Sequence, residues 1–393
     1  MIDLKLKSDC SGCHACLSIC PKGSITMSAD DEGFLYPVIN KDTCIDCGLC
    51  EKVCQSKNPI KALNEPTAYA AYNTDETIRI QSSSGGIFTL VAEYIIDNGG
   101  VVFGAAFDDN LNVHHTKIAA KDNLNLLRGS KYVQSTIGNT YKEAKEILKT
   151  GQLVLYTGPP CQIDGLLNYL GKDYDNLFTQ DLICHGAPSP MVWQKYLTFH
   201  SEKNGKIARE PSPCFRCKSK GWKRFSICLT YANKTEYQRT LDKDLYMQAF
   251  LHDLSLRPSC YDCKSKGKKR NSDITLADFW GIWNVLPEMF DDKGTSLILV
   301  NSQKGKVLLD KIRDRIVIKE VDADEALKYN SPAYKSVLKP LNRDAFMETI
   351  KNDNDFEKTV KKYTRPNIVV RTIKFVKKIV KGMLIRCLQT KHY

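Results

Sequence analysis

Cys10-Ser11-Gly12-Cys13-His14-Ala15-Cys16-Leu17-Ser18-Ile19-Cys20-Pro21, answered by Cys44-Ile45-Asp46-Cys47-Gly48-Leu49-Cys50-Glu51-Lys52-Val53-Cys54, decides how the chain begins. Three cysteines at steps of three and a fourth four residues later, the whole run repeated, is a spacing for iron–sulfur cubanes. In the established rule for this spacing, each tight run wraps three thiolates around one cluster and the trailing cysteine ligates the other. The rule assigns Cys10, Cys13, Cys16 and Cys54 to one 4Fe-4S cluster, and Cys44, Cys47, Cys50 and Cys20 to a second. Gln55 follows Cys54 where Pro21 follows Cys20, so the repeat is imperfect.

Zinc and disulfides fit this stretch less well. A zinc site pairs its ligands across a longer loop, and a disulfide framework suits a small secreted domain. The opening Met1-Ile2-Asp3-Leu4-Lys5-Leu6-Lys7 has no apolar signal region. Sixteen cysteines in such a chain predict metal binding in a reducing cytoplasm. No apolar run is long enough for a transmembrane helix.

Outward from the cysteine runs, 393 residues suit two or three domains. Residues 1–60 are expected to form a two-cluster ferredoxin domain of βαβ type, closed by Asn58-Pro59 and Glu65-Pro66. From Ala68 to the helix at Ser189 or Pro190 the chain alternates strand, loop and helix, the mark of α/β architecture. Strands are expected at Ala68–Tyr72, Val101–Phe107, Val113–Ile118, Leu153–Tyr156, near Asp181, across 215–241, and at Asp273–Phe279 and Leu297–Val300. Helices are expected at Ile87–Asp97, near Asn139–Lys149, at Ile163–Tyr169 and from Ser189 or Pro190. The expected fold is α+β or α/β, with a small ferredoxin-like domain ahead of a mixed α/β domain. The expected units are 1–60, 61–145, 146–330, and a helical basic tail over 331–393.

The net charge of +12 is unevenly placed. Residues 1–60 carry six Lys/Arg against eight Asp/Glu, and from Arg365 onward there are eight Lys/Arg and no acid. The chain shows no nucleic-acid-binding motif, so nucleic acid is not an expected partner. Val369, Ile373, Val376, Val380, Met383, Leu384 and Leu388 would share one helical face with Arg371, Lys374, Lys378, Lys381 and Arg386 outside it. Such a helix, over 365–390, either lies against an anionic membrane or docks on its own protein.

Clusters move electrons singly, so some 300 further residues imply a redox site that they feed, with a flavin as the link to two-electron chemistry. Ser83-Ser84-Gly85-Gly86 at a helix start presents amides and a helix dipole to an anion, although the same residues also read as a plain cap. Arg128-Gly129-Ser130-Lys131-Tyr132 offers two cations, a glycine and an aromatic ring, or else a solvated loop. Cys161 and Cys184 each follow a strand, at the sheet edge where α/β proteins bind ligands. With Cys260-x-x-Cys263 they would make four ligands for a third cubane. Alternatives stand beside that reading: Cys161 as a nucleophile with His185 as base, a zinc site, or inert buried cysteines. Cys214-x-x-Cys217 is a rival pair. Cys228, alternating with Ile227 and Leu229, reads as structural, and Cys387 has no visible partner.

Taken in order, several stretches resemble the coenzyme F-420 hydrogenase/dehydrogenase beta-subunit family, in the version with a fused two-cluster ferredoxin. They are Ser83-Ser84-Gly85-Gly86-Ile87-Phe88, Arg128 to Ser135, Gly158-Pro159-Pro160-Cys161-Gln162, Cys184 to Pro190, Arg257 to Cys263, and Ser272 to Gly281. The resemblance implies an FAD enzyme that passes electrons between clusters and a reducible partner. It implies Cys161, Cys184, Cys260 and Cys263 as ligands of a third 4Fe-4S cluster. It also implies Ser83, Ser84, Gly85, Gly86, Arg128, Gly129, Ser130, Lys131 and Tyr132 as flavin contacts. Cys214 and Cys217 stand where the resemblance leads one to expect non-cysteine residues.

Three functions follow from these readings. The first is an iron–sulfur flavoprotein linking a one-electron carrier, such as a ferredoxin-like redox protein, to a two-electron small molecule such as a deazaflavin. The second is an electron-transfer subunit without a substrate pocket. The third is a thiol enzyme built on Cys161. No residue is assigned as general acid or base.

Overall fold

The computed structural model of the chain describes residues 2–365. The basic segment expected to be amphipathic, together with Cys387, lies outside the described residues.

In the first 60 residues, helix α1 (Ala15–Ile19) is followed by strands β1 (Ile25–Ala29) and β2 (Leu35–Ile39) and helix α2 (Leu49–Lys52). The expected βαβ unit is instead a helix–hairpin–helix, with β1 and β2 antiparallel. The physical reason is the connection, which is too short for a parallel crossover. The left-handed Gly33 and the Asp30 carboxylate, which accepts from the amides of Glu32 and Phe34, close the turn.

The strands of the main body are β3 (Thr67–Asn73), β4 (Val101–Phe107), β5 (Val113–Ile118), β6 (Val154–Thr157), β7 (Leu177–Leu182), β8 (Cys214–Cys217), β9 (Ser226–Thr230), β10 (Glu236–Thr240), β11 (Ile274–Asp278), β12 (Ser296–Val300) and β13 (Ile316–Val321). Eight form one mixed sheet in the order β13-β3-β12-β11-β7-β6-β4-β5. The central four, β11, β7, β6 and β4, are mutually parallel, and antiparallel strands complete both sides. The sheet thus takes strands from both sides of residue 145. β8, β9 and β10 make a separate antiparallel sheet.

The helices that matter for the site are α3 (Ile87–Asp97), α4 (Thr140–Lys149), α5 (Pro160–Leu170), α6 (Pro190–Asn204), α7 (Arg343–Asn352) and α8 (Phe356–Thr364). α3 buries Ile87, Leu90, Val91 and Ile95 at helical spacing, each worth about 1.5–3 kcal/mol of transfer from water. It stops at Asn98 and the left-handed Gly99. α6 starts where Ser189 caps the Val192 amide at 3.1 Å and Pro190 takes the first turn.

The N-terminal domain is held to the main body by buried polar contacts. The Arg257 side chain, 1% exposed, donates to the carbonyls of Cys10 (2.7 Å) and Leu35 (2.9 Å) and to Gln134 Oε1 (2.9 Å). Arg343, on α7, grips the Glu32 carboxylate with both terminal nitrogens, at 2.6 and 2.5 Å. Losing either guanidinium would leave buried carbonyls or a carboxylate unpaired.

Candidate functional site: three cysteine groups and two facing loops

The two N-terminal cysteine runs repeat in conformation as well as in spacing. In each, the residues two and four beyond the first cysteine are left-handed: Gly12 and His14 in the first run, Asp46 and Gly48 in the second. The left-handed turns wind each loop tightly, and α1 and α2 begin directly after His14 and Gly48. Glycine supplies one of the two positions in each run, so the strain is shared between two non-glycine residues.

The first run gathers Cys10, Cys13, Cys16 and Cys54. Burial pushes the Cys13 thiol up to about 12, and Cys10 and Cys54 are the neighbouring thiols that oppose its ionisation further. Cys16 is raised by burial and by the same neighbours, Cys13, Cys10 and Cys54. Cys20, Cys44, Cys47 and Cys50 line one concavity with Ile25, Ile39 and Leu49. Amides point at several of these sulfurs: Ile2 N–H to Cys50 at 3.1 Å, Gly12 to Cys10 at 3.4 Å and Ser24 to Cys20 at 3.3 Å. Such donors stabilise sulfur that carries negative charge.

Gln55, the departure from the repeat, is buried and donates to Ser11 Oγ at 2.9 Å, while its own Oε1 accepts from Ser265. It ties the first cysteine loop to the main body, a contact a proline could not make.

At the carboxyl edge of the parallel strands stands a third group. Cys161 is the second residue of α5, after β6, and Cys184 follows β7. Cys260 lies within a short turn over Pro258–Asp262, and Cys263 directly follows it. Cys161 is raised well above its ordinary value by burial and then by Cys263, Cys184 and Cys260. Cys184 is pushed up to about 11 and Cys260 to about 12, burial first in both. The Ala187 amide donates to Cys260 Sγ at 3.3 Å. Among the described residues no three Cys, His, Asp or Glu side chains close on a point that would hold a single ion; a cubane takes its thiolates at separate corners.

These groups fit clusters chemically. Each is all-thiol, and the thiols that burial raises, Cys13, Cys16, Cys161, Cys184 and Cys260, would lose their protons on binding iron. They do not fit the nucleophile reading of Cys161, which needs a lowered pKa. Burial and three neighbouring thiols act the other way. His185 Nε2 is 2.6 Å from Asp253 Oδ1, and its ring meets Phe250 edge-on.

α1 and α5 bring the first and third groups together. A Cβ built on Gly165 of α5 would stand 2.8 Å from Cys13 Cβ and 3.0 Å from its sulfur. Cys13 is also among the charges that oppose ionisation of Cys161.

The two loops read as flavin contacts face each other. Ser83 Oγ accepts from the Ser130 amide at 2.7 Å and lies 2.9 Å from the Ser130 hydroxyl. Gly85 packs on the sheet, where a Cβ would meet Ala71 O at 2.5 Å. The left-handed Gly86 precedes α3, whose start takes no side-chain cap among the described residues. Arg128 donates to Thr89 Oγ1 in the first turn of α3 at 3.1 Å. The left-handed Gly129 has no described atom within 4 Å of where a Cβ would stand. Uncapped amides, a guanidinium and open space beside a glycine fit a phosphate-bearing group. The Lys131 ammonium turns back onto the carbonyls of Leu127, Arg128 and Gly129, each at 3.3 Å, and burial lowers it to about 8.

Sequence reasoning missed the residues that hold these loops. Lys218 reaches the carbonyls of Ser84 (2.5 Å), Arg79 (2.7 Å) and Lys293 (2.7 Å). Arg216 forks onto Asp278 at 2.6 and 2.9 Å and reaches the Tyr132 hydroxyl at 3.1 Å. The signal available in the sequence was Arg216 and Lys218 beside Cys217, read only as a cysteine pair. Cys214, Cys217 and Cys228 lie together on the small sheet, apart from the Cys161 group.

These arrangements define an iron–sulfur protein built on a mixed α/β sheet. Residues 9–58 match a 4Fe-4S dicluster domain. Residues 151–326 match the C terminus of the beta subunit in the coenzyme F420 hydrogenase/dehydrogenase family. The chain thus places a 4Fe-4S dicluster domain ahead of a region similar to the C terminus of that oxidoreductase beta subunit. A chain from the F420-reducing [NiFe] hydrogenase complex of Methanosarcina barkeri is similar at 17% identity and TM-score 0.44, over 70% of this chain and 97% of that one. No curated protein matches. Among the described residues no helix is long and apolar enough to cross a membrane.

Proposed function

We propose that the chain is an iron–sulfur flavoprotein oxidoreductase that exchanges electrons between an external one-electron carrier and a two-electron substrate such as a deazaflavin. When bound, three 4Fe-4S clusters would supply single-electron transfer and FAD its conversion to electron pairs. Cys20, Cys44, Cys47 and Cys50 would hold the cluster nearest the surface, where an acidic N-terminal domain meets a ferredoxin-like partner. Cys10, Cys13, Cys16 and Cys54 would hold the next, and Cys161, Cys184, Cys260 and Cys263 the third. Ser83 to Gly86 and Arg128 to Tyr132 would bind the FAD phosphates, with Lys218 and Arg216 keeping the two loops in place. The cysteine usage favours a reducing cytoplasm.

The observation that carries this reading is the packing of Cys13 against Gly165, four residues along α5 from Cys161. It joins the N-terminal domain to the main body at their thiol groups, as a route for electrons requires.

An anaerobic reduction screen tests it. A reduced one-electron carrier should bleach the cluster absorption of both flavin-loaded and flavin-stripped protein. Reduced deazaflavin should bleach only the flavin-loaded form. Equal bleaching of both forms by deazaflavin would overturn the flavin's role, and a chain purified with iron but unable to bind flavin would be an electron-transfer subunit instead.

A further inference from the structure

The Cys214-x-x-Cys217 motif finds a use outside the three groups above. In a regular strand, residues three apart point to opposite faces. β8 is irregular: Cys214 lies opposite Cys228 of β9 and Cys217 opposite Ser226, so three steps on β8 match two on β9. This bulge turns Cys214 and Cys217 to the same face of the small sheet, which is the face of Cys228. Ile227 and Leu229, on the other face, are buried in the core. On the cysteine face Ser226 is buried, but the sulfur-bearing residues reach the surface: Cys214 is exposed, and Cys217 and Cys228 are half-buried. Cys217 and Cys228 are neighbours across the two strands, close enough for each to shift the other's ionisation. Lys131 is close enough to Cys214 to favour its ionisation, which puts the trio beside the Arg128–Tyr132 loop.

We propose that Cys217 and Cys228 form a redox-active dithiol that reduces a low-molecular-weight disulfide, with Cys217 as the attacking sulfur and Cys228 as the resolving one. Cys217 thiolate attacks the disulfide R–S–S–R, forming Cys217–S–S–R and releasing R–S⁻. Cys228 then gives up its proton and attacks the Cys217 sulfur, so that a Cys217–Cys228 disulfide forms and the second R–S⁻ leaves. Two electrons pass from the dithiol to the substrate, and the proton from Cys228 is taken up by a released thiolate. The roles agree with the environment of each sulfur. The Cys228 thiol beside it and donors from Ser219 hold Cys217 down at about 5, and the Cys217 sulfur and burial push Cys228 up. A low-pKa, accessible thiol beside a high-pKa partner is the arrangement that thiol–disulfide exchange uses. The proposal stands apart from the flavin reading, since the chain's own thiols supply both electrons.

Oxidised glutathione, added anaerobically to the full-length, iron-loaded protein, is the test. Two glutathione thiols should be released per chain. Trypsin, which cuts after Arg216 and Lys218, separates Cys214 from Cys217, so peptide mass mapping should find Cys217-Lys218 joined to the Phe225–Lys234 peptide. A Cys228→Ser variant should release one glutathione and keep the other on Cys217. No release, a link between Cys214 and either other cysteine, or zinc retained by the three thiols would overturn the proposal.

Discussion

A neutral imidazole supports the strand end that leads into Cys161. His115 is fully buried; its Nε2–H donates to Thr157 O at 2.8 Å, and Nδ1 pairs with Ser135 Oγ at 2.7 Å. Burial lowers its pKa from 6.5 to about 4. Between those values the unfolded chain binds a proton that the folded chain does not. Stability therefore falls as pH drops through that window, by at most about 1.4 kcal/mol per pH unit. Urea denaturation at pH 6.5 and 5.0 should show a steeper loss in the parent protein than in a His115→Gln variant, and equal slopes would refute this. At this scale the sequence showed the cysteines, because their ligand spacing is local. It did not show His115, Lys218 or Arg257, whose partners lie far away in the chain and come close only in the fold.

Elements decide how the groups meet. α5 carries Cys161 at its start and Gly165 one turn later, and α1 packs into the space that the missing side chain leaves. Gly165→Leu should force α1 and Cys13 away, at a cost of about 1–3 kcal/mol for overpacking. Limited proteolysis near residues 60–66 should then be severalfold faster than in the parent protein; an unchanged rate would show that this contact does not hold the domain. Most elements were legible. The spacing of Ile87, Leu90, Val91 and Ile95, closed by Asn98-Gly99, gives α3 to the residue. The first domain was misread as βαβ because its two strands pair through a turn whose Asp30 and Gly33 chemistry went unrecognised. The bulge in β8 was also hidden, since register is a property of two strands rather than one.

The whole molecule joins a small domain, held by its cysteine loops, to a mixed sheet whose carboxyl edge carries a further four cysteines. Its α/β character was readable from the alternation of strands and helices. The sheet order was not, because β3 pairs with β12 and β13 across more than 200 residues of chain. Docking through Arg257, Arg343 and Gln55 likewise depends on the completed fold. The central claim is that the Cys161 group is a third cluster site at the end of the N-terminal pair, next to a flavin. The direct test is iron and flavin content of the anaerobically purified parent and a Cys161→Ser variant. The parent should hold about twelve irons and one flavin per chain, and the variant about eight irons. About eight irons in both proteins would contradict the account.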